Sequence, residues 1–341
     1  MGASFGSFGL ATGTEPRAGS PFAYGLAAYE RGDFALALRF WHPLAEAGDA
    51  HAQYNLGLLY DRGEGVPRDA AKAAYWYGKA ADQNDADALH NLSILFAEGD
   101  GVVHDPAAAL ALGRRAAVQG HAGAQHNLAL AYDRGVGAER DPAEALIWYR
   151  KAAQAGLAES RYNLAMTYEA GEAGPVNEAE ARHWWRRLAE QGDADAQFNL
   201  ALKCAKGRGG PRDDAEALTW YGRAADQGHL LARYNLGVMF FDGQGVAADA
   251  ASAAACWRAA AGQGLALAQF SLGALYAKGQ GVARDDVQAC VLFTLAAARS
   301  EAGQLELRQM ALRNRGAVAR GLSAEQVAEV DERARAWLAR V

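Results

Sequence analysis

His90 and His126 occupy the same place in two neighbouring stretches of the chain, and imidazole is a common zinc ligand. A zinc site needs ligands about 2 Å from one ion, whereas equivalent residues of stacked helices lie about 10 Å apart. The two histidines are therefore expected to stand in for the Tyr or Phe found at that place elsewhere, and no metal or cofactor is expected. Cys204, Cys256 and Cys290 could supply thiolates. Three widely spaced cysteines build neither a disulfide framework nor a Cys-x-x-Cys site, and they read as small core residues in a reducing compartment. Gly-x-Gly occurs at Gly63/Gly65, Gly243/Gly245 and Gly279/Gly281, but none follows a strand, as a phosphate loop requires. Walker and His-Glu-x-x-His motifs do not occur. The basic pairs Arg114-Arg115 and Arg186-Arg187 lack the interleaved aromatics of a nucleic-acid stripe and are expected on a solvated face.

The elements that must position these residues come from a repeat. Asn-Leu recurs at Asn55, Asn91, Asn127, Asn163, Asn199 and Asn235, always 36 residues on, and Ser271-Leu272 makes a seventh copy. Numbered from Ala50, each unit has Leu at position 7, Gly at 14 and Ala at 24. Small and apolar residues at 3, 7, 8, 10 and 11 line one face of a first helix, and Gly at 14 supplies the left-handed residue that stops it. Asp or Asn at 20 caps a second helix, with Pro106 and Pro142 at its first position. Asn177/Glu180, Asp213/Glu216 and Ser323/Gln326 have the spacing of capping boxes.

A helix pair this short cannot bury its apolar face alone, so an unbroken period of this length predicts an all-α solenoid. The expected organisation is a disordered tail over 1–20, a shortened capping repeat over 21–49, seven repeats over 50–301, and capping helices over 302–341. In the last helix, Val327, Val330, Ala334 and Leu338 share one side.

The formal net charge is −6, too mild for a nucleic-acid or membrane footprint, and no apolar run is long enough to span a bilayer. The first residues have no basic n-region and no apolar h-region, so a cytoplasmic chain is expected; a signal peptide outside this sequence would make it periplasmic.

Residues 50–85, "AHAQYNLGLLYDRGEGVPRDAAKAAYWYGKAADQND", resemble the Sel-one-like repeat, a relative of the tetratricopeptide repeat, and the likeness extends over 21–301. The resemblance implies a right-handed superhelix of antiparallel helix pairs. It implies a non-catalytic scaffold or adaptor, in bacterial signalling or envelope regulation, that binds a protein or peptide on its concave face, with a monomer favoured. The alternative is an envelope enzyme or small-ligand binder like the relatives that pair cysteines within each repeat and have been associated with β-lactamase activity. No unit here carries such a pair.

At 100° per residue, positions 2, 5, 9 and 12 fall opposite the packed position 7. In the related repeats that side of the first helix lines the concave surface. Asp61, Asp87, Asp133, Glu159 and Asp195 are expected to form an acidic stretch there that steers a basic partner. Leu231, Val238, Phe241 and Leu267 are expected to form an apolar anchor on a continuous floor of position 9 residues. The Asn at position 6 could clamp a partner's backbone. Its recurrence at nearly every level favours a bond to the adjacent unit instead.

Overall fold

The computed structural model describes residues 19–300 and 302–339. Residues 1–18 of the expected tail and residues 340–341 lie outside it. Gly19 and Ser20 lie within it, and Ser20 Oγ caps the first helix. Every regular element among the described residues is helical, so the chain is an all-α repeat solenoid.

The chain divides into two compact units at Val176/Asn177, between the two helices of the fourth repeat. The first holds α1 (Pro21–Glu30), α2 (Phe34–Glu46), α3 (Ala50–Arg62), α4 (Ala70–Asp82), α5 (Ala86–Glu98), α6 (Pro106–Val118), α7 (Ala122–Arg134), α8 (Pro142–Gln154) and α9 (Ala158–Ala170). The second holds α10 (Glu178–Glu190), α11 (Ala194–Lys206), α12 (Asp214–Asp226), α13 (Leu230–Asp242), α14 (Ala250–Gly262), α15 (Ala266–Lys278), α16 (Asp286–Arg299), α17 (Leu305–Ala319) and α18 (Ala324–Leu338). Within each unit each helix packs on the next in sequence as far as α17, and α18 packs on α16.

The turn chemistry follows the sequence. Gly63, Gly99 and Gly135 end α3, α5 and α7 at φ +71°, +73° and +70°. Asp69, Asp105 and Asp141 cap α4, α6 and α8 by accepting backbone N–H bonds. The second glycine of each Gly-x-Gly has a separate role. A Cβ on Gly137 would lie 2.3 Å from Pro106 O, and one on Gly281 2.3 Å from Ala250 O. The loop of one repeat thus presses its bare backbone onto the start of the preceding repeat's second helix, which only glycine permits.

Three expectations change. Asn177 and Asp213 each accept the N3 backbone N–H, but the reciprocal half of the box forms only at Ser323/Gln326. Glu180 and Glu216 instead accept from the indoles of Trp184 and Trp220 at 3.2 and 3.1 Å. Leu338 is exposed, while Val330 and Ala334 pack on α16 residues Val291 and Leu295. Of the basic pairs, Arg114, Arg115 and Arg187 are exposed as expected and Arg186 is half-buried. Arg115 donates to Ala81 O at 2.9 Å, Arg114 lies over the Tyr132 ring, and Arg186 pairs with Glu216 at 2.6 Å.

Candidate functional site

Position 28, in the second helix, carries the large ring of the core. Trp41, which stands 36 residues before Tyr77 in the capping repeat, begins a row that continues through Tyr77, Tyr149, Trp185, Tyr221, Trp257 and Phe293, all buried. Where position 8 is glycine the ring packs directly over it: a Cβ on Gly57 would lie 2.6 Å from Tyr77, and one on Gly237 2.4 Å from Trp257. Several also meet a position 5 ring, as in Tyr54–Tyr77 at 5.7 Å, His126–Tyr149 at 5.9 Å and Phe198–Tyr221 at 5.8 Å.

In the second repeat the row is broken by Gly113. A Cβ there would meet only Ser93, at 3.7 and 3.9 Å. The missing ring leaves a cavity of about 810 Å³ lined by α5, α6 and α7, with Tyr54, Leu157 and Glu159 at its margins. His90, which has no position 28 ring to pack on, stacks on His121 with centroids 4.3 Å apart. Burial pushes the His90 pKa down to about 3, so its ring is neutral at pH 7. His121 caps α7 through Nδ1, which accepts from Ala124 N at 3.0 Å, leaving Nε2–H to meet Asp87 at 3.2 Å. That bond holds the Asp87 carboxyl below the usual range, and therefore charged.

The seams between repeats are held by polar ladders. Asn235 Nδ2 donates to Tyr221 Oη at 3.2 Å in the preceding repeat, and Asn91 Nδ2 reaches Tyr54 Oη at 3.5 Å. Asn163 bonds Tyr149, whose hydroxyl donates to Asp133. Asn55 is fully buried. Asn127 lines the cavity, because its repeat follows the one that lacks the ring. Asn199 is half-buried.

A second ladder lies at position 4. Gln53, Gln125, Gln197 and Gln269 each donate to the backbone carbonyl eight residues before them, at 3.0 to 3.2 Å, and Arg161 and Arg233 do the same. The second repeat has Leu89 there, and Arg115 donates to the equivalent carbonyl, that of Ala81.

The Sel1 repeat family matches residues 21–49, 50–85, 86–121, 122–157, 158–193, 194–229, 230–265 and 266–300. The chain belongs to the Sel1 repeat family. Its eighth copy is the shortened N-terminal unit.

Solved structures similar to this chain include two at 28% and 30% identity. One is c5321, a protective antigen of uropathogenic Escherichia coli strains that displays an SLR fold. It is 28% identical, with 93% of this chain and 75% of that chain covered and a TM-score of 0.56. The other is a Sel1 repeat protein from Oxalobacter formigenes, 30% identical, with 71% of this chain and 96% of that chain covered and a TM-score of 0.55. No curated protein sequence matches the chain.

Within the Sel1 frame, the acidic residues expected on the concave face have internal neighbours. Asp61 accepts from Tyr77 at 3.3 Å and lies 3.6 Å from Arg68. Asp133 accepts from Tyr149 at 3.4 Å, and Asp195 meets His229 at 3.3 Å. Asp87 and Glu159 line the cavity. In the second unit Leu231 is 42% exposed. Val238 and Phe241 pack on the core cluster around Trp257, and Leu267 is half-buried. The floor of position 9 residues is uneven: Leu58 is buried and Met166 is 43% exposed. His126 packs as an aromatic would, with Nδ1 2.7 Å from Ser160 Oγ.

Among the described residues no group of three or more His, Cys, Asp or Glu could hold a metal, and no helix is long and apolar enough to cross a membrane. The three cysteines are unpaired. Burial, with Glu216 beside it, pushes the Cys204 thiol up to about 11.

Proposed function

We propose that this Sel1 repeat protein is a non-catalytic interaction scaffold that docks a basic segment of a partner protein over the cavity between α5 and α7. The observation that carries the reading is the cavity itself. It is large and mostly apolar, with a few convergent polar groups, and it interrupts an otherwise closed row of core rings. Asp87, Glu98 and Glu159 line it against one cation, Arg134, so the local field favours a positively charged partner. The histidine beside it, His90, is neutral and does not offset that field. In the second unit, Leu231 is the exposed member of the apolar set and offers a contact there. Val238 and Phe241 support it from the core.

The test is capture of the partner from the source cell by the intact protein and by Glu98→Lys combined with Glu159→Lys. Both side chains are exposed, so circular dichroism and melting temperature should hold while captured partner falls at least tenfold. Val118→Lys, on the exposed side of α6, should capture as the native chain does. Equal capture by the double variant would place the contact elsewhere.

A further inference from the structure

We infer that the cavity receives the side chain of a tyrosine from the partner polypeptide, seated over Gly113 where the other repeats supply a ring of their own. The inference rests on the scaffold reading above and names the chemistry of its contact.

The repeat defines the shape of the vacant place. Elsewhere a position 28 ring lies between a position 8 backbone and a position 5 ring, at centroid distances of 5.6 to 6.2 Å. Around Gly113 both flanking surfaces remain: Ser93 at position 8 and the His90 ring at position 5. An entering ring would recover the packing its neighbours enjoy and remove apolar wall from water.

The repeat also defines the polar end. Tyr221 has Ala205 rather than Asp at position 12 of its repeat, and its hydroxyl is met by Asn235 at 3.2 Å. The second repeat likewise has Ala97 at position 12, and Asn127 stands where Asn235 stands. A phenol hydroxyl placed over Gly113 would therefore meet the Asn127 amide, which selects tyrosine over phenylalanine. Asn91 is 4% exposed and lines the same cavity; its Oδ1 has no hydrogen-bond partner and is available to a backbone N–H of the entering segment. The volume of about 810 Å³ exceeds one side chain, and the acidic lining favours Lys or Arg beside the tyrosine.

The probes are the acetylated tripeptide amides Lys-Tyr-Lys, Lys-Phe-Lys and Lys-Leu-Lys, together with p-cresol, titrated against the full chain by NMR. Lys-Tyr-Lys should bind the native chain saturably, several-fold tighter than Lys-Phe-Lys and at least tenfold tighter than Lys-Leu-Lys. Gly113→Tyr builds the ring into the chain, so it should melt higher and bind Lys-Tyr-Lys at least tenfold more weakly. Asn127→Leu, which leaves the space open, should erase the preference for tyrosine over phenylalanine; an unchanged preference would contradict the proposed seat whatever the stability of the Gly113 variants. Equal binding by a Gly113→Tyr chain of raised stability would overturn the inference, as would no saturable binding by the native chain. Binding of p-cresol as tight as that of the tripeptide would overturn the assignment to a polypeptide. If the tripeptides fail while Glu98→Lys/Glu159→Lys still loses the partner, the tyrosine assignment falls and the scaffold reading stands.

Discussion

His90, in the first helix of the second repeat, packs ring against ring at 4.3 Å on His121, the last residue of that repeat and the N-cap of α7. The contact ties the N-cap of α7 to the wall of the cavity, which His90 lines. The same pair sets a pH dependence.

His90 has a folded pKa of about 3 against an ordinary value of about 6.5. The unfolded chain takes up this proton near pH 6.5 and the folded chain does not until about pH 3. Stability is thus unaffected by this group above about 6.5 and falls as pH drops through the window, by up to about 1.4 kcal/mol per pH unit. Asp87 and His126, both with lowered pKa values, add losses in the same acid direction. Denaturant unfolding between pH 7 and 4 should show the slope, and His90→Phe should reduce it by one proton's worth. An unchanged slope would show that His90 is not buried neutral.

Gly137 and Gly120 separate two costs. Both have positive φ, +76° and +94°, but a Cβ on Gly137 would strike Pro106 O at 2.3 Å while nothing lies within 4 Å of one on Gly120. Gly120→Ala should cost about 1 kcal/mol, from backbone strain alone. Gly137→Ala should cost at least about 2 kcal/mol more and speed amide exchange in α6 and α7, because repeats share their stability with their neighbours. Equal losses would mean the loop does not bear on α6.

The Asn ladder is structural where Tyr149 is concerned. Removing the amide in Asn163→Ala takes away one partner of the buried Tyr149 hydroxyl and should cost about 1–3 kcal/mol. Tyr149→Phe made in the Asn163→Ala background should cost less than in the native chain, because the two residues share one bond. Additive losses in a double-mutant cycle would place Asn163 outside the ladder.

The cysteines should be inert. Cys204 is raised to about 11, and burial also raises Cys256 and Cys290, so little thiolate exists at pH 7. A thiol reagent should label the native chain slowly and the denatured chain at all three positions, as mass spectrometry would show. Rapid native labelling of Cys204 would contradict its burial.

Much of the fold was legible because turns and caps use short-range chemistry. Gly63 stops α3 and Asp69 starts α4 for reasons contained within a few residues. The Asn and Gln ladders differ in this respect. Asn at position 6 recurs conspicuously, but its tyrosine partner lies in another helix. Gln53 reaches a main-chain carbonyl, which carries no sequence signature. The spacing of Glu180 and Glu216 points to capping boxes, but Trp184 and Trp220, one turn further on, offer competing donors. The cavity was present in the sequence as a single Gly in a column of rings. Its significance depended on knowing that position 28 points into the core, which periodicity of the second helix alone did not show.

Site-specific photo-crosslinking reports most directly where the partner sits. A benzophenone amino acid replacing Arg134, an exposed residue lining the cavity, should crosslink the partner in the source cell. The same group replacing Val118, 71% exposed, should not. Building Gly113→Tyr into the Arg134 chain should abolish the crosslink without lowering the melting temperature. A partner that crosslinks from Val118 and not from Arg134, or one indifferent to Gly113→Tyr, would contradict docking at the cavity.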